Sequence, residues 1–153
     1  MSSGSDSNKQ HKKKFNFNSS EFIENRKKNN ELLSKNGWIC AEIKIDKSDS
    51  YLNFLNAKKW FISGQGSIWL PQLPRIGDYV TFTIMNKHLL ERYGVKADYE
   101  QFITCIVNKI EMLSLSVDMN YQQVEESLSC LLYSIDVTIT EIPENSDLDI
   151  DFD

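Results

Sequence analysis

The spacing of apolar residues changes from helical to alternating after Gly37. Residues 20–37 predict a helix, because Ser20 suits a helix start, acids follow in the first turn, and a Lys-Asn-Gly run ends the pattern. Residues 38–46 carry apolar side chains at every second position with charges between them, which is typical of a half-buried strand. The chain therefore opens with a helix followed by a strand.

Short apolar runs continue the strand pattern through the middle of the chain. Residues 51–55 and 58–62 predict two short strands or one bent strand, and residues 67–70 predict another. Gly64 and Gly66 lie between these runs and suit a tight reversal, because glycine adopts positive φ without a steric penalty. This region is therefore expected to form short strands joined by a tight turn.

The clearest strand lies at residues 79–85, where every second side chain from Val80 is apolar. Residues 86–93 predict a short connecting helix that ends at Gly94. Residues 101–113 predict the next strand, and their apolar side chains fall on both faces. A strand with two apolar faces is expected to be buried on both sides.

A second helical pattern begins at Asn120. Its apolar stripe is wider than a helix needs to cover one end of a small β-barrel. The stripe consists of Tyr121, Val124, Leu128, Leu131 and Leu132. We interpret these as partner-binding residues. The alternative is that the helix covers the bottom of its own barrel, and one helix can do both with different faces. Alternation over residues 135–142 predicts a final strand, whose first residue also fits the end of the helix.

Charge divides the chain into three parts. Eight Lys and Arg face four acids through Lys35, whereas residues 143–153 carry five acids and no base. We predict a disordered basic tail at residues 1–19, a folded domain at 20–142 and a disordered acidic tail at 143–153, because the ends offer too little apolar surface to offset the entropy of ordering. The acidic tail is either solvated or docks in a basic groove of another protein.

The expected location follows from the N-terminal lysines and from the lack of long apolar runs. Lysines at positions 12–14 fit a nuclear import signal or a phosphate-contacting arm, with a solubilising tail as the alternative. No apolar run approaches the roughly 18 residues that span a bilayer. We therefore expect a nuclear protein that does not enter a membrane.

The residues that usually carry catalysis or bind metals are few and scattered. Three widely spaced cysteines and two histidines give no metal-ligand motif, and His88 has no nucleophile in a motif beside it. The sequence Gly64-Gln65-Gly66 lacks the further glycine and lysine that cradle a phosphate. We therefore expect no enzyme activity, no metal and no cofactor.

Three segments carry a resemblance to OB-fold proteins. KNGWICAEIKID looks like an opening barrel strand, LPRIGDYVTFTI is similar to a fourth-strand entry, and FITCIVNKIEMLS followed by NYQQVEESLSCLLY resembles a last strand running into a C-terminal helix. The ending is most similar to the smallest subunits of replication protein A and of the telomeric CST complex, and to the small OB partner of the RecQ-mediated genome instability complex. The resemblance implies a mainly β fold with α-helices, as a five-stranded OB-type barrel with an N-terminal helix and a C-terminal amphipathic helix.

The same resemblance implies a non-catalytic subunit of a nuclear complex that binds single-stranded DNA at telomeres or replication sites. Its C-terminal helix would pack against a larger OB-fold subunit, and nucleic acid would be bound directly or through that complex. Candidate nucleic-acid-binding residues, chosen as aromatic and basic side chains near each other in the chain, are Lys58, Lys59, Trp60, Phe61, Trp69 and Arg75. A core or interface role for the tryptophans, an autonomous RNA-binding cold-shock or S1-like barrel, and a pure protein adaptor are the alternatives.

Overall fold

The computed structural model describes residues 19–64, 66–94, 100–129 and 133–149. This part of the chain contains five helices and six strands. The helices are α1 Ser20–Lys35, α2 Ser50–Ala57, α3 Lys87–Tyr93, α4 Tyr121–Ser129 and α5 Asn145–Leu148. The strands are β1 Ile39–Ile45, β2 Trp60–Ile62, β3 Ser67–Leu70, β4 Tyr79–Asn86, β5 Glu100–Met112 and β6 Tyr133–Glu141. In these described ranges, none of the helices combines the length and apolar character that crossing a membrane requires.

All six strands belong to one mixed sheet in the order β2-β4-β5-β6-β1-β3. The β1–β6 pair is parallel and the other pairs are antiparallel. Strands β2 and β3 lie at opposite edges of the sheet, although only residues 63–66 separate them in sequence. That connection reaches at most about 18 Å, whereas the edges of a flat six-stranded sheet lie roughly 24 Å apart. The sheet is therefore curled into a half-barrel.

The fold is mainly β with α-helices, as predicted, but it contains six strands instead of five. The tight turn around Gly64 is present, with φ of +92° and a site where a Cβ atom would lie 2.3 Å from the Ser67 carbonyl oxygen. Its flanking strands do not pair with each other as a hairpin, because each pairs with a different neighbour. In the sequence, helix α4 lies between β5 and β6. The last strand, β6, therefore follows this helix, and it pairs in parallel with β1.

The main core lies on the concave side of the curled sheet and contains the alternating residues that the sequence predicts. Phe82 and Ile84 of β4 are buried there, and α3 ends at Gly94 as expected. The prediction for β5 was wrong in one respect, since only one of its faces is buried. Ile103 and Cys105 face the core, whereas Phe102 is 56% exposed.

Helix α2 replaces a predicted strand. Asp49 precedes this helix, and one carboxylate oxygen accepts hydrogen bonds from the backbone N–H groups of Tyr51 and Leu52 at 3.0 and 3.1 Å. The other oxygen accepts from the N–H of Ile139 at 3.2 Å, next to the register shift between β5 and β6. One side chain therefore starts a helix and satisfies a strand amide 90 residues away.

The acidic end of the chain folds back onto the domain as far as Asp149, which differs from the predicted disorder. Leu148 is 3% exposed and belongs to the main core. Its carbonyl oxygen accepts a hydrogen bond from the Trp60 indole N–H at 3.1 Å, and Asp149 forms an ion pair with Lys58. The remainder of the predicted acidic tail, 150–153, and most of the predicted basic tail, 1–18, lie outside the described residues.

We expect Asp49→Ala to lower the free energy of unfolding by about 2–3 kcal/mol. The substitution removes a helix cap and leaves a strand amide without its acceptor, and each loss costs about 1 kcal/mol or more. Urea unfolding measures the change. Asp46→Ala is the control, because the Asp46 carboxylate is exposed and, among the described residues, accepts hydrogen bonds from Ser48 alone. An equal loss in both variants would contradict the role of Asp49.

We expect Leu148→Ala to cost about 2–4 kcal/mol, because it removes a buried side chain from the core and leaves a cavity. Asp147→Ala, one residue earlier and exposed, should change stability by less than about 0.5 kcal/mol. Thermal and urea unfolding of both variants test whether the end of the chain is an integral part of the fold. Equal stability of Leu148→Ala and the unaltered protein would show that it is not.

Candidate functional site

An open groove of about 480 Å³ lies where the end of α2, strand β2 and the start of α3 meet. Its lining combines basic, aromatic and amide side chains with one acid: Asn56, Lys59, Trp60, Phe61, Lys87, His88 and Glu91. Lys59, Lys87 and His88 are exposed, and Trp60 closes the groove from the core side because it is 1% exposed. The groove is therefore a solvent-accessible site with a fixed aromatic wall.

Backbone and side-chain hydrogen bonds fix the two basic sides of the groove against each other. The N–H of Lys87 donates to the carbonyl oxygen of Lys59 at 2.8 Å. The Asn86 side chain donates to the Lys58 carbonyl oxygen at 3.1 Å and also accepts from the N–H of Leu89 at the start of α3. Asn86 thus joins the start of α3 to the end of α2, and the backbones of Lys59 and Lys87 are held next to each other.

Phe61 lies on the opposite side of β2 from Trp60 and is partly exposed. Its partner in the β2–β4 ladder is Met85, which is buried but does not belong to the main core. Phe61 itself lines the groove. An aromatic ring in such a place has a face for contact with a planar ligand.

The sequence-predicted nucleic-acid residues divide between this groove and other places. Lys59 and Phe61 line it with their side chains accessible. Trp60 lines it from the core side, but its ring has no free face for base stacking, because the indole is buried and bonded to Leu148. Lys58 points its ammonium group to Asp149 and lies 5.9 Å from the centre of the Phe54 ring.

Trp69 and Arg75 are not part of the groove. The Trp69 indole donates to the side chain of Asn30 on α1 at 3.0 Å, so this residue fastens α1 to the edge strand β3. Arg75 lies in the turn before β4, whereas the groove lies at the other end of that strand. Eight residues of β4 separate the two ends by roughly 24 Å.

Sequence reasoning missed Lys87 and His88 as site residues. They follow Lys59 by almost thirty positions and come next to it because β2 and β4 pair with Trp60 opposite Asn86. The sequence did show basic residues at the start of a short helix. What it lacked was the strand pairing, because the tight turn at Gly64 suggested a different partner for β2.

A second surface of interest consists of exposed apolar side chains from the end of β5 to the start of α4. We call it the apolar rim, and it comprises Met112, Leu113, Leu115, Val117 and Tyr121. Val117 is 100% exposed, Tyr121 81% and Met112 76%. Of the predicted partner-binding residues, Tyr121 belongs to this rim and Val124 is half-buried. The side chain of Leu128 and the residues Leu131 and Leu132 lie outside what the structure describes.

No protein-family model matches the chain, and neither curated proteins nor solved structures include one with significant similarity. The groove and the apolar rim must therefore be interpreted from their own chemistry.

The thiol of Cys105 faces the core and is not accessible to solvent. Burial raises its pKa from 9.0 to about 12, with a smaller contribution from the negative charge of Asp49. Because the thiolate is the reactive form of cysteine, Cys105 stays an inert thiol at neutral pH. Cys40 is also buried, and Cys130 lies outside the described residues.

This raised pKa predicts a loss of stability at alkaline pH. Between pH 9 and pH 12 the unfolded chain releases the Cys105 proton and the folded chain retains it, so the free energy of unfolding falls as pH rises, by up to about 1.4 kcal/mol per pH unit. Urea unfolding of the protein and of Cys105→Ala across this range measures the difference in slope. Parallel curves for the two proteins would contradict the assignment.

Proposed function

We propose that this chain is a non-catalytic binding subunit that assembles with a larger OB-fold protein in a nuclear complex acting on single-stranded DNA, at telomeres or replication sites. The observation that carries the proposal is the apolar rim. Scattered exposed apolar residues are ordinary on protein surfaces, but a contiguous apolar surface usually marks an interface. Five exposed apolar side chains within ten residues of sequence favour an interface in this region.

The composition of this region indicates the kind of partner. Residues 112–124 contain one charged side chain, Asp118, and no basic residue. An interface core with so little charge is typical of an apolar partner surface, such as the hydrophobic face of a helix. The region continues into α4. At the start of this helix the Asn120 side-chain oxygen accepts a hydrogen bond from the N–H of Gln122, and the Gln123 side-chain oxygen accepts one from the N–H of Asn120.

The curled half-barrel supports the OB-type part of the proposal, and the sixth strand is its departure from a five-stranded barrel. The basic residues at positions 12–14 support the nuclear location. The net charge of −5 argues for a complex in which another subunit provides most of the contact with nucleic acid, since phosphate binding depends on basic residues.

We expect Val117→Asp and Tyr121→Asp to abolish assembly, because each places a charge in the centre of an apolar interface. The full chain, tagged and expressed in its native cells, should co-purify with a protein that contains a single-strand-binding OB domain, and the variants should lose it. Mass spectrometry of the purified material identifies the partner. Urea unfolding should give the same midpoint for the isolated variants and the unaltered chain.

Ile23→Asp is the matched control, because Ile23 is also an exposed apolar residue but lies on α1. This variant should retain the partner. Retention of the partner by both rim variants, or a co-purifying partner without any single-strand-binding domain, would contradict the proposal.

A further inference from the structure

Lys59 occupies a backbone position that favours glycine. Helix α2 ends with Lys58 as its C-cap, and the next residue, Lys59, has φ of +64°, in the left-handed region. Glycine is the usual residue at this position after a helix, because other side chains are strained there. Lys59 is the one non-glycine residue with positive φ in the described part of the chain. A strained residue of this kind is a reason to look for a function of its side chain.

The charge of Lys59 is also placed unfavourably. The β2–β4 register pairs Trp60 with Asn86, so Lys59 and Lys87 are opposite each other at the next position. Like charges directly opposite on neighbouring strands repel. Neither lysine takes part in the ion pairs found among the described residues, which join Lys58 to Asp149 and Lys109 to Glu111. Among the described residues, therefore, neither ammonium group has an ion-pair partner, and both lysines line the groove.

We infer that the groove is an anion site and that Lys59 and Lys87 hold one phosphate of a single nucleic-acid strand between them. An anion between the two lysines attracts both ammonium groups, and this attraction offsets their mutual repulsion. His88 adds a further hydrogen-bond donor on the same side, whereas Glu91 is the single acid in the lining. The charges of the groove therefore favour an anion even though the chain as a whole is acidic.

Phe61 indicates that the anion belongs to a nucleotide strand. Its partly exposed ring lines the same groove, and proteins that bind single strands combine lysine contacts to the backbone with aromatic rings on which bases stack. The choice of single-stranded DNA as the ligand rests on the proposed function. The site itself rests on the groove, and it lies on elements that do not include the apolar rim.

The test is the substitution Lys59→Gly in the full chain, with binding of a labelled single-stranded oligothymidylate measured by fluorescence anisotropy at several salt concentrations. Glycine relieves the backbone strain, so the urea midpoint should stay the same or rise, while affinity falls several-fold. The dependence of log affinity on log salt should become shallower by about 0.7, the loss of one phosphate contact to a single strand. Binding then falls while stability is kept or raised, which the loss of a merely structural lysine would not produce.

Lys47→Ala is the control for net charge, because Lys47 lies in the exposed turn before α2, away from the groove. It should leave affinity nearly unchanged. Lys87→Gln should weaken binding as Lys59→Gly does. If Lys59→Gly does not fold, the affinity of Lys87→Gln tests the proposal in its place. Equal binding by Lys59→Gly and Lys47→Ala would overturn the proposal, and so would a full chain that binds no single strand.

A parallel measurement with an RNA of the same length shows whether the bound phosphate belongs to DNA or to RNA. Binding of RNA without binding of DNA would overturn the assignment to single-stranded DNA and favour an RNA-binding barrel. Because the apolar rim is tested by co-purification, failure of the groove and failure of the proposed assembly give different results. A chain that assembles but binds no strand would disprove only the groove.

Discussion

The four-residue connection between β2 and β3 is the constraint on which the rest of the structure depends. It joins the two edge strands of a six-stranded sheet, so the sheet must curl until its edges approach each other at that end. Curling creates a concave side deep enough to bury Trp60 and Leu55 together with the central strands. Gly64 makes the connection possible, because any Cβ there would collide with the following backbone.

The sequence predicted the elements whose pattern is local. Strand β4 and helices α3 and α4 are found where alternation, capping residues and helical spacing placed them. Helix α2 was missed because its apolar residues, among them Leu52, Phe54 and Leu55, also fit a short strand. Its signal in the sequence is Asp49, which caps the helix, but Asp49 belongs to a run of polar residues, 46–50, that suits a turn equally well. The burial of Leu148 had no local signal, because its site is made by Trp60 and the core.

Only part of the candidate groove could be predicted from the sequence, because some of its lining residues come together through long-range strand pairing. Lys59 and Phe61 stand together in the sequence, and the structure keeps them together. Lys87 comes beside them through antiparallel pairing of β2 with β4, a long-range contact that residues 86–93 alone do not reveal. Trp69 and Arg75 are near in sequence but belong to other parts of the sheet, so they do not line this groove.

In the short segments that line the groove, residues that support the fold alternate with residues whose side chains are exposed to solvent. A substitution must therefore be interpreted according to which kind of residue it changes. Trp60 and Asn86 are fixed by hydrogen bonds to Leu148 and Lys58, whereas Lys59 and Lys87, next to them in the chain, extend into solvent. Replacing Trp60 removes a core side chain and the contact that holds the end of the chain, so reduced binding in such a variant would reflect altered folding. Changes at Lys59 and Lys87 leave that support in place and report on the charge of the groove itself.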